Sequence, residues 1–207
     1  MSSTQVPVLH AVRLLGFADT PEVAIRARLP VAQTASALAD AQTRGWVQHT
    51  GFADLHGWSL TDAGRTEGER LLRLERQRAG CDGELHAIHT EFLPLNARLL
   101  RACTDWQLRP IPEDAFAVND HTDPVWDARV LAELDALSEE LTTLVRSLAA
   151  VLPRFAGYAE RFRSALRRAQ AGERDWVDRS DVDSCHRVWF ELHEDLIATL
   201  GIDRGGA

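Results

Sequence analysis

Histidine and cysteine are the residues of this chain best suited to chemistry, and they gather in two places. Cys81, His86 and His89 lie within nine residues, and His186 and His193 are seven residues apart in a segment of helical pattern. Imidazole and thiolate groups bind transition metals. Isolated histidines are more often exposed or hydrogen-bonded in a core. We therefore predict no metal and no cofactor, and metal binding stays as the alternative.

Known catalytic motifs are absent from the sequence. It contains no GxSxG, no glycine-rich phosphate loop and no HExxH. Glu139 and Glu140 are adjacent acids, but the pattern around them places both on the solvated face of a helix. We predict that the chain is not an enzyme. Redox sensing through Cys81 or Cys103 is a further alternative, and it requires a lowered thiol pKa.

Length and charge limit the remaining classes of protein. The 207 residues, 45% of them hydrophobic, suffice for one or two domains, and no apolar run is long enough to span a membrane. Residues 1–78 hold nine arginines and eight acids, a balance of +1, whereas residues 79–207 hold 14 arginines and 23 acids, a balance of −9. We therefore expect a polyanion to bind residues 1–78 and to be repelled by residues 79–207.

Helical patterns fill the first 45 residues. Val8 to Leu15 predicts a first helix, and Thr20-Pro21 predicts the start of a short second helix, Glu22 to Arg28, with Thr20 as the N-cap. Pro30 opens a third helix that ends at Arg44-Gly45. Two helices joined by a tight turn form a helix-turn-helix. The predicted inner face of the third helix is Val31, Ala35, Leu38 and Ala41 or Gln42.

The pattern then changes to that of a β-hairpin. Trp46 to Thr50 predicts one strand, Gly51 to Gly57 a turn and Trp58 to Thr61 the returning strand, after which Thr61 caps a fourth helix. The run RGWVQHTGFADLHGWSLTDAGR resembles the wing and exit of MarR-like winged-helix transcriptional regulators, whose pattern is a helix ending in glycine, a strand, a wing and LTxxGR. The resemblance covers about the first third of the chain.

This resemblance implies that the third helix enters the major groove of double-stranded DNA and that the wing reaches the backbone or the minor groove. The wing sequence GFADLHG carries Asp54 and His56 but no arginine. Three kinds of DNA contact are implied. The residues that would meet base edges from the third helix are Gln33, Thr34, Ser36 and Ala37, with Asp40 beside them. The arginines that would meet phosphates are Arg26, Arg28, Arg44 and Arg65, and the wing residue is His56.

The second half of the sequence predicts four long amphipathic helices in an antiparallel bundle. They are Glu84 to Gln107, Asp123-Pro124 to Leu152, Pro153 to Ala171, and about Ser180 to Leu200, the last burying Val182. A polar loop, Glu113 to Thr122, separates the first two. Aromatic residues either fill this core or wall an effector pocket formed by Phe92, Asn96, Trp106, Trp126 and Trp189. Arg98 and Arg101 either anchor an anionic effector or form salt bridges between helices.

These observations predict a mainly α protein with two domains. Residues 1–78 would form a winged helix-turn-helix with a two-stranded β-wing, and residues 79–207 a helical domain for dimerisation and for a small effector. The expected function is transcription regulation by a cytoplasmic homodimer bound to a pseudo-palindromic operator. The alternative is a protein-protein interaction adaptor whose winged helix no longer binds DNA.

Overall fold

Within the residues that the structure describes, three α-helices precede a two-stranded antiparallel sheet, and five further α-helices follow it. The computed structural model describes residues 4–52 and 55–202, with the backbone alone at Phe52 and Leu55. Contacts divide the chain into a first unit, residues 1–80 and 197–207, and a second unit, residues 81–196. The prediction of a mainly α protein is confirmed. That each unit acts as a separate domain stays a prediction.

The first unit contains α1 (Gln5–Leu15), α2 (Thr20–Ala27), α3 (Val31–Thr43), β1 (Val47–Phe52), β2 (Leu55–Leu60) and α4 (Asp62–Ala79). Its core gathers apolar side chains from all three leading helices, from β1 and from α4. Burial of this apolar surface is the main force that holds the short helices in place, since helices of 8 to 13 residues are marginal alone. The fully buried members include Val12, Val23 and Leu38.

The start of α2 differs from the prediction in which residue caps it. Asp19, and not Thr20, is the N-cap: its carboxylate accepts a hydrogen bond from Glu22 N at 2.8 Å, and the Glu22 carboxylate accepts one from Asp19 N at 3.0 Å. This reciprocal pair satisfies two backbone N–H groups that the helix itself leaves without partners. Thr20 is thereby released to accept a hydrogen bond from Trp58 Nε1 at 3.0 Å.

The phase of α3 also differs from the prediction. Its buried residues are Thr34, Ala37, Leu38 and Ala41, whereas Val31 is 52% exposed and Ala35 lies on the exposed side. The Thr34 hydroxyl donates to the carbonyl of Pro30 at 3.2 Å, so a polar side chain enters the core with a partner. Val31 is the first residue of the helix and lies at the rim. The predicted inner face is therefore wrong except at Leu38 and Ala41.

Both strands of the hairpin are longer than predicted. Gly51 belongs to β1 and Gly57 to β2, so the predicted turn of seven residues is wrong. The strands pair in register from Val47 with Leu60 to Phe52 with Leu55. Gly51 lies opposite His56, and a Cβ atom there would fall 2.3 Å from the His56 ring. A side chain at position 51 would therefore displace the exposed His56 ring, and Gly51 is not a turn residue.

Two residues explain the LTDAGR segment at the start of α4. The Thr61 hydroxyl accepts a hydrogen bond from Gly64 N at 3.0 Å and donates to the Gly45 carbonyl at 2.6 Å. A Cβ atom at Gly64 would lie only 1.7 Å from the Trp46 carbonyl oxygen. Thr61 and Gly64 therefore join α4 to the start of β1 and have a structural reason for their identity.

The second unit contains α5 (Asp82–Gln107), α6 (Pro124–Val151), α7 (Tyr158–Gln170) and most of α8 (Cys185–Leu200), with two short 3-10 helices at Pro153–Phe155 and Arg174–Trp176. Helix α6 packs against α5 and α7. Asp123 caps α6, as predicted, by accepting from the N–H groups of Val125 and Trp126. Across the described part of the chain, no helix combines the length and the apolar character needed to cross a bilayer.

Two predicted helices of the second unit have different limits. The segment 153–171 is split, because Gly157 takes a left-handed conformation at φ 97° before α7 begins. Helix α8 starts at Cys185, since the Ser184 hydroxyl accepts from Arg187 N at 3.2 Å in the manner of an N-cap. Val182 thus precedes the helix and is half-buried. The prediction that Val182 is a buried residue of the last helix is wrong.

Charged side chains of α8 face the interior of the second unit. Asp195, which is 2% exposed, accepts hydrogen bonds from the Arg154 guanidinium and from the Tyr158 hydroxyl, the latter at 2.9 Å. Glu191, also 2% exposed, accepts from Arg161 at 2.7 Å. Burial raises the pKa of Glu191, while Arg161 opposes that rise. Because these ion pairs are buried, removing one partner should lower the free energy of unfolding.

Candidate functional site

The exposed side of α3 is a polar surface backed by the core of the first unit. Gln33, Ser36 and Asp40 are exposed on this helix, with small alanine side chains between them. An amide, a hydroxyl and a carboxylate supply hydrogen-bond donors and acceptors, and the alanines let another molecule approach the backbone closely. This surface, Gln33, Ser36 and Asp40, is called the α3 face below.

Two residues predicted to contact DNA from α3 are buried. Thr34 is 0% exposed and Ala37 is 5% exposed, so neither can reach a base edge in this conformation, and both predictions are wrong. A threonine four residues after a proline carbonyl can satisfy its hydroxyl within the helix, and this local signal was present in the sequence. Placing Thr34 and Ala37 inward also puts Ser36 and Gln33 outward.

Arginines flank both ends of α3. Arg28 is exposed and lies in the left-handed conformation at φ 54°, where α2 ends. Arg44 is exposed at the C-terminal end of α3, with its guanidinium 5.1 Å from the centre of the Trp46 ring. Arg65 is exposed in the first turns of α4, and Arg26 is half-buried on α2. Three of the four predicted phosphate contacts are therefore accessible to solvent.

An acidic side chain on α4 interacts with one of these arginines. The Glu67 carboxylate on α4 accepts two hydrogen bonds from Arg70 at 2.7 Å. Arg70, with a weaker contribution from Arg44, lowers the pKa of Glu67 below its ordinary value. Glu67 therefore stays ionised near neutral pH and offsets part of the positive charge of this surface.

The hairpin presents aromatic side chains and not arginines. His56 is exposed, as is His49, which the sequence analysis did not select. The ring centres of His49 and His56 are 6.3 Å apart, and those of His49 and Trp58 are 4.6 Å apart. The alternation of side chains along paired strands is the signal that identifies His49. This signal depends on the strand register, which the predicted turn of seven residues does not give correctly.

The aromatic residues predicted to form an effector pocket divide between separate clusters. Phe92 and Trp189 stack with their ring centres 5.3 Å apart, and Trp189 Nε1 donates to Asn96 Oδ1 at 3.0 Å. Trp106 instead packs on His121 at 4.6 Å, and Trp126 donates to the Asp105 carbonyl at 2.6 Å. Phe92, Trp106 and Trp189 are nearly fully buried. These aromatics fill the core, and the prediction of a single shared pocket is wrong.

Arg98 on α5 forms salt bridges between helices, which is one of the two roles predicted for it. Its guanidinium donates to Glu133 at 2.7 Å and to Glu140 at 2.5 Å, both on α6. These carboxylates raise the pKa of Arg98 above its ordinary value. Arg98 joins two helices through salt bridges, and its charge is already matched.

A polar cluster in the loop after α5 was missed by the sequence analysis. His121 has a positive φ of 59°, and its Nδ1 lies 3.0 Å from Asp127 Oδ2. The buried Asn119 donates to Asp127 at 3.0 Å and to the Trp106 carbonyl at 3.0 Å. The signal was NDHTDP, a run rich in turn-forming residues before a helix. These contacts order the loop that was predicted only to be polar.

The cysteines are poorly suited to redox sensing. Cys81, Cys103 and Cys185 are buried cysteines outside any disulfide. Burial raises the pKa of Cys103 to about 12, with a smaller contribution from Asp178, and burial also raises the pKa of Cys185. A thiol that stays protonated is a weak nucleophile, so the redox alternative at Cys103 is not supported.

Comparisons with protein-family models, with curated proteins and with solved structures found no match. The interpretation of the α3 face and the hairpin therefore rests on their geometry and on the sequence resemblance.

The histidines proposed as alternative metal ligands belong to the second unit. His89 is 8% exposed, and its ring centre is 6.3 Å from that of His193. His193 also packs against Phe92 at 5.2 Å. Within residues 4–52 and 55–202, no three side chains of the metal-binding types come together. The described geometry gives the metal alternative no ligand set.

His89 is expected to make the second unit less stable in acid. Burial, and to a smaller extent the charge of His86, lowers the pKa of His89. A lowered folded-state pKa means that the stabilising contribution is present above the unfolded value of about 6.5 and is lost as the pH falls through the folded value. Urea unfolding from about pH 7.5 to about pH 5 should show a decline of up to about 1.4 kcal/mol per pH unit from this group. His89→Leu should flatten the decline, and an unchanged slope would contradict this assignment.

Proposed function

We propose that this chain is a DNA-binding transcriptional regulator that acts as a homodimer and whose first unit is a winged helix-turn-helix. The observation that carries the proposal is the division of α3 into two sides. One side buries Thr34, Ala37 and Leu38, and the opposite side exposes the α3 face, with Arg28 before the helix and Arg44 after it.

This arrangement suits insertion of α3 into the major groove. The Gln33 amide can donate to and accept from the edge of adenine at once, and Ser36 can serve as donor or acceptor. Arg28 and Arg44 lie at opposite ends of the helix, where they would meet phosphates on either side of the groove. The charge balance of +1 in residues 1–78, against −9 in residues 79–207, also favours the first unit as the part that meets DNA.

Dimerisation would supply the second half of the DNA contact. Two copies of α3 set about 34 Å apart would reach successive major grooves of a pseudo-palindromic operator. A nearly neutral DNA-binding unit gains from such pairing, because each half-site adds its own phosphate contacts. We assign dimerisation and a site for a small effector to the helical second unit. An effector would regulate DNA affinity by changing the distance between the two α3 helices.

A second candidate, a protein-interaction adaptor, is favoured by a specific set of exposed side chains. Ile25 on α2 is 79% exposed and Val31 on α3 is 52% exposed. The α3 face also carries the negative charge of Asp40, which a DNA backbone would repel. An adaptor would use these apolar side chains to bind another protein.

Fluorescence anisotropy with duplex DNA distinguishes the two candidates. The wild-type protein is titrated against DNA from upstream of its own gene and against random duplexes, at about 50 mM and about 200 mM salt. We expect a preference for one sequence and weaker binding at the higher salt. Arg28→Gln and Arg44→Gln should each weaken binding to all sequences and reduce the salt slope by about 2, because the dimer loses one phosphate contact at each half-site. Gln33→Ala should reduce sequence preference.

Arg167→Gln on α7 provides the control, since this exposed arginine belongs to the acidic second unit. It should leave affinity and salt slope unchanged. Absence of DNA binding at about 50 mM salt would favour the adaptor, as would weak binding that does not change with salt and is equal in the Arg28 and Arg44 variants.

A further inference from the structure

The loop between α5 and α6 presents large apolar side chains to solvent. Three of the four most exposed large apolar side chains in the described part of the chain lie within ten residues of one another: Phe116 at 77%, Val118 at 80% and Val125 at 78%. Single exposed apolar side chains are ordinary, whereas grouped ones mark a site of interaction. These three residues are called the loop patch.

Buried contacts hold the loop patch in place. Asn119 follows Val118 directly, is 5% exposed and donates to the Trp106 carbonyl at 3.0 Å. Asn119 also donates to Asp127 at 3.0 Å, and Asp127 belongs to the first turn of α6. This second contact brings the start of α6, and with it Val125, close to Val118. The loop patch is therefore carried by an ordered segment of the second unit.

The backbone of Val118 has an open edge. Val118 forms an antiparallel bridge with the residue that ends α5. One flanking hydrogen bond runs from Arg109 N to the Ala117 carbonyl at 2.9 Å, and the other from Asn119 N to the Gln107 carbonyl at 2.8 Å. Between two such bonds, the N–H and C=O of the central residue point away from the neighbouring strand. Among the described residues, neither group of Val118 has a hydrogen-bond partner.

The surroundings of the loop patch are acidic. Residues 108–125 contain one arginine, Arg109, and four acids, Glu113, Asp114, Asp120 and Asp123, a balance of −3. Arg109 is matched by Asp123 at 3.4 Å and by Asp120 at 3.9 Å. Glu113 is exposed and forms no ion pair within residues 4–52 and 55–202. This excess of negative charge disfavours nucleic acid, whose phosphates would be repelled, and favours a basic partner.

The same charges disfavour a second copy of the chain as the occupant. Two copies paired in antiparallel fashion at Val118 would bring Glu113 and Asp114 of one copy toward Asp120 of the other. Like charges that face one another destabilise paired strands. The outward N–H and C=O groups of Val118 match an extended segment better than a helix, whose backbone groups are already bonded to one another. The occupant that matches the loop patch is thus an extended basic segment with apolar side chains.

We propose that the loop patch binds an extended segment of another protein, in which apolar and basic side chains alternate, through backbone pairing with Val118. The apolar side chains of that segment cover Phe116 and Val125, and its basic side chains lie near the acids of the loop. This inference goes beyond DNA binding and does not depend on the α3 face. A chain bound to DNA through its first unit would bring the partner protein to the same site.

Fluorescence anisotropy with labelled peptides tests the proposal on the full chain. The probe is the capped peptide Lys-Val-Lys-Val-Lys-Val-Lys, titrated at about 50 mM salt. We expect saturable binding with a Kd below about 1 mM. Three comparison peptides carry glutamate for every lysine, threonine for every valine, or N-methyl groups on the valines. Each should bind at least about tenfold more weakly, because each removes the charge, the apolar contact or the backbone pairing.

Variants of the chain locate the binding site. Phe116→Ser removes an exposed aromatic ring and should weaken peptide binding several-fold, while the fold stays intact. Val118→Pro removes the outward N–H group and should weaken it as well. Glu113→Lys should weaken binding of the lysine peptide and strengthen binding of the glutamate peptide. The matched control is Ile25→Ser, since Ile25 is 79% exposed but belongs to the first unit, and it should leave peptide affinity unchanged.

Two results would overturn this inference. The first is absence of saturable binding of the lysine peptide at about 1 mM. The second is equal affinity for the lysine, threonine and N-methylated peptides, or equal affinity in the wild type and in Phe116→Ser, because attraction by net charge alone gives that result. DNA binding by Phe116→Ser should equal that of the wild type, so failure of this inference leaves the proposed function in place.

Discussion

Replacing Gly64 by alanine is expected to unfold the first unit or to lower its free energy of unfolding by about 3 kcal/mol or more. The added Cβ would lie 1.7 Å from the Trp46 carbonyl oxygen, which is backbone and cannot rotate away. Helix α4 would have to move from β1. The hydrogen bond from Thr61 N to the Trp46 carbonyl, 3.0 Å long, would be lost with that movement. Hydrogen exchange of peptides from the first unit, with urea unfolding, measures the effect.

Gly68 supplies the matched control for this prediction. It lies in the same helix, and a Cβ atom there would meet nothing within 4 Å. Gly68→Ala should therefore stabilise α4 by about 0.5–1 kcal/mol, since alanine is the better helix former. The change from glycine to alanine is thus expected to lower the free energy of unfolding at position 64 and to raise it at position 68. Equal effects at Gly64 and Gly68 would contradict the close contact with Trp46.

Replacing Arg154 by methionine is expected to lower the stability of the second unit by about 3–5 kcal/mol. The side chain of Asp195 is 3% exposed and would lose the guanidinium that now donates to it. Methionine retains much of the apolar stem of arginine, so loss of packing contributes less than loss of charge. Urea unfolding at pH 7, followed by circular dichroism, together with hydrogen exchange of α7 and α8 peptides, measures the change.

Two further variants test whether the buried charge is the cause. Arg167→Met removes an exposed arginine, 58% accessible and 3.4 Å from Glu160, and should cost less than about 1 kcal/mol. Arg154→Met combined with Asp195→Leu removes both charges and should be more stable than Arg154→Met alone. If the double variant is less stable than Arg154→Met, the buried charge of Asp195 is not the source of the loss.

Local sequence signals predicted the order of the elements well. Alternating and helical patterns predicted three helices and a hairpin, and the cap at Asp123 was identified. Such signals work because capping and turn preferences depend on residues within about four positions of one another. These signals predicted Thr20 as the N-cap of α2, one residue after the observed N-cap Asp19, because both polar residues are suitable caps.

The candidate site was harder to predict than the elements that carry it. Gln33, Ser36, Arg28 and Arg44 are exposed as expected, but Thr34 is buried. A helix of small residues has a weak apolar stripe, so its phase cannot be determined from hydrophobicity alone. The pocket residues Trp106 and Trp189 were grouped because both are aromatic, although each packs with different neighbours.

The sequence by itself determined the helices, the hairpin and the uneven charge of the chain, because these depend on composition and on contacts between near neighbours. The tertiary structure decided which side of α3 is exposed, why Gly64 must be glycine and that His49 shares a face with His56. Each of these depends on atoms that are distant in the sequence or on a strand register. A shift of one residue in register would move His49 to the opposite face of the hairpin.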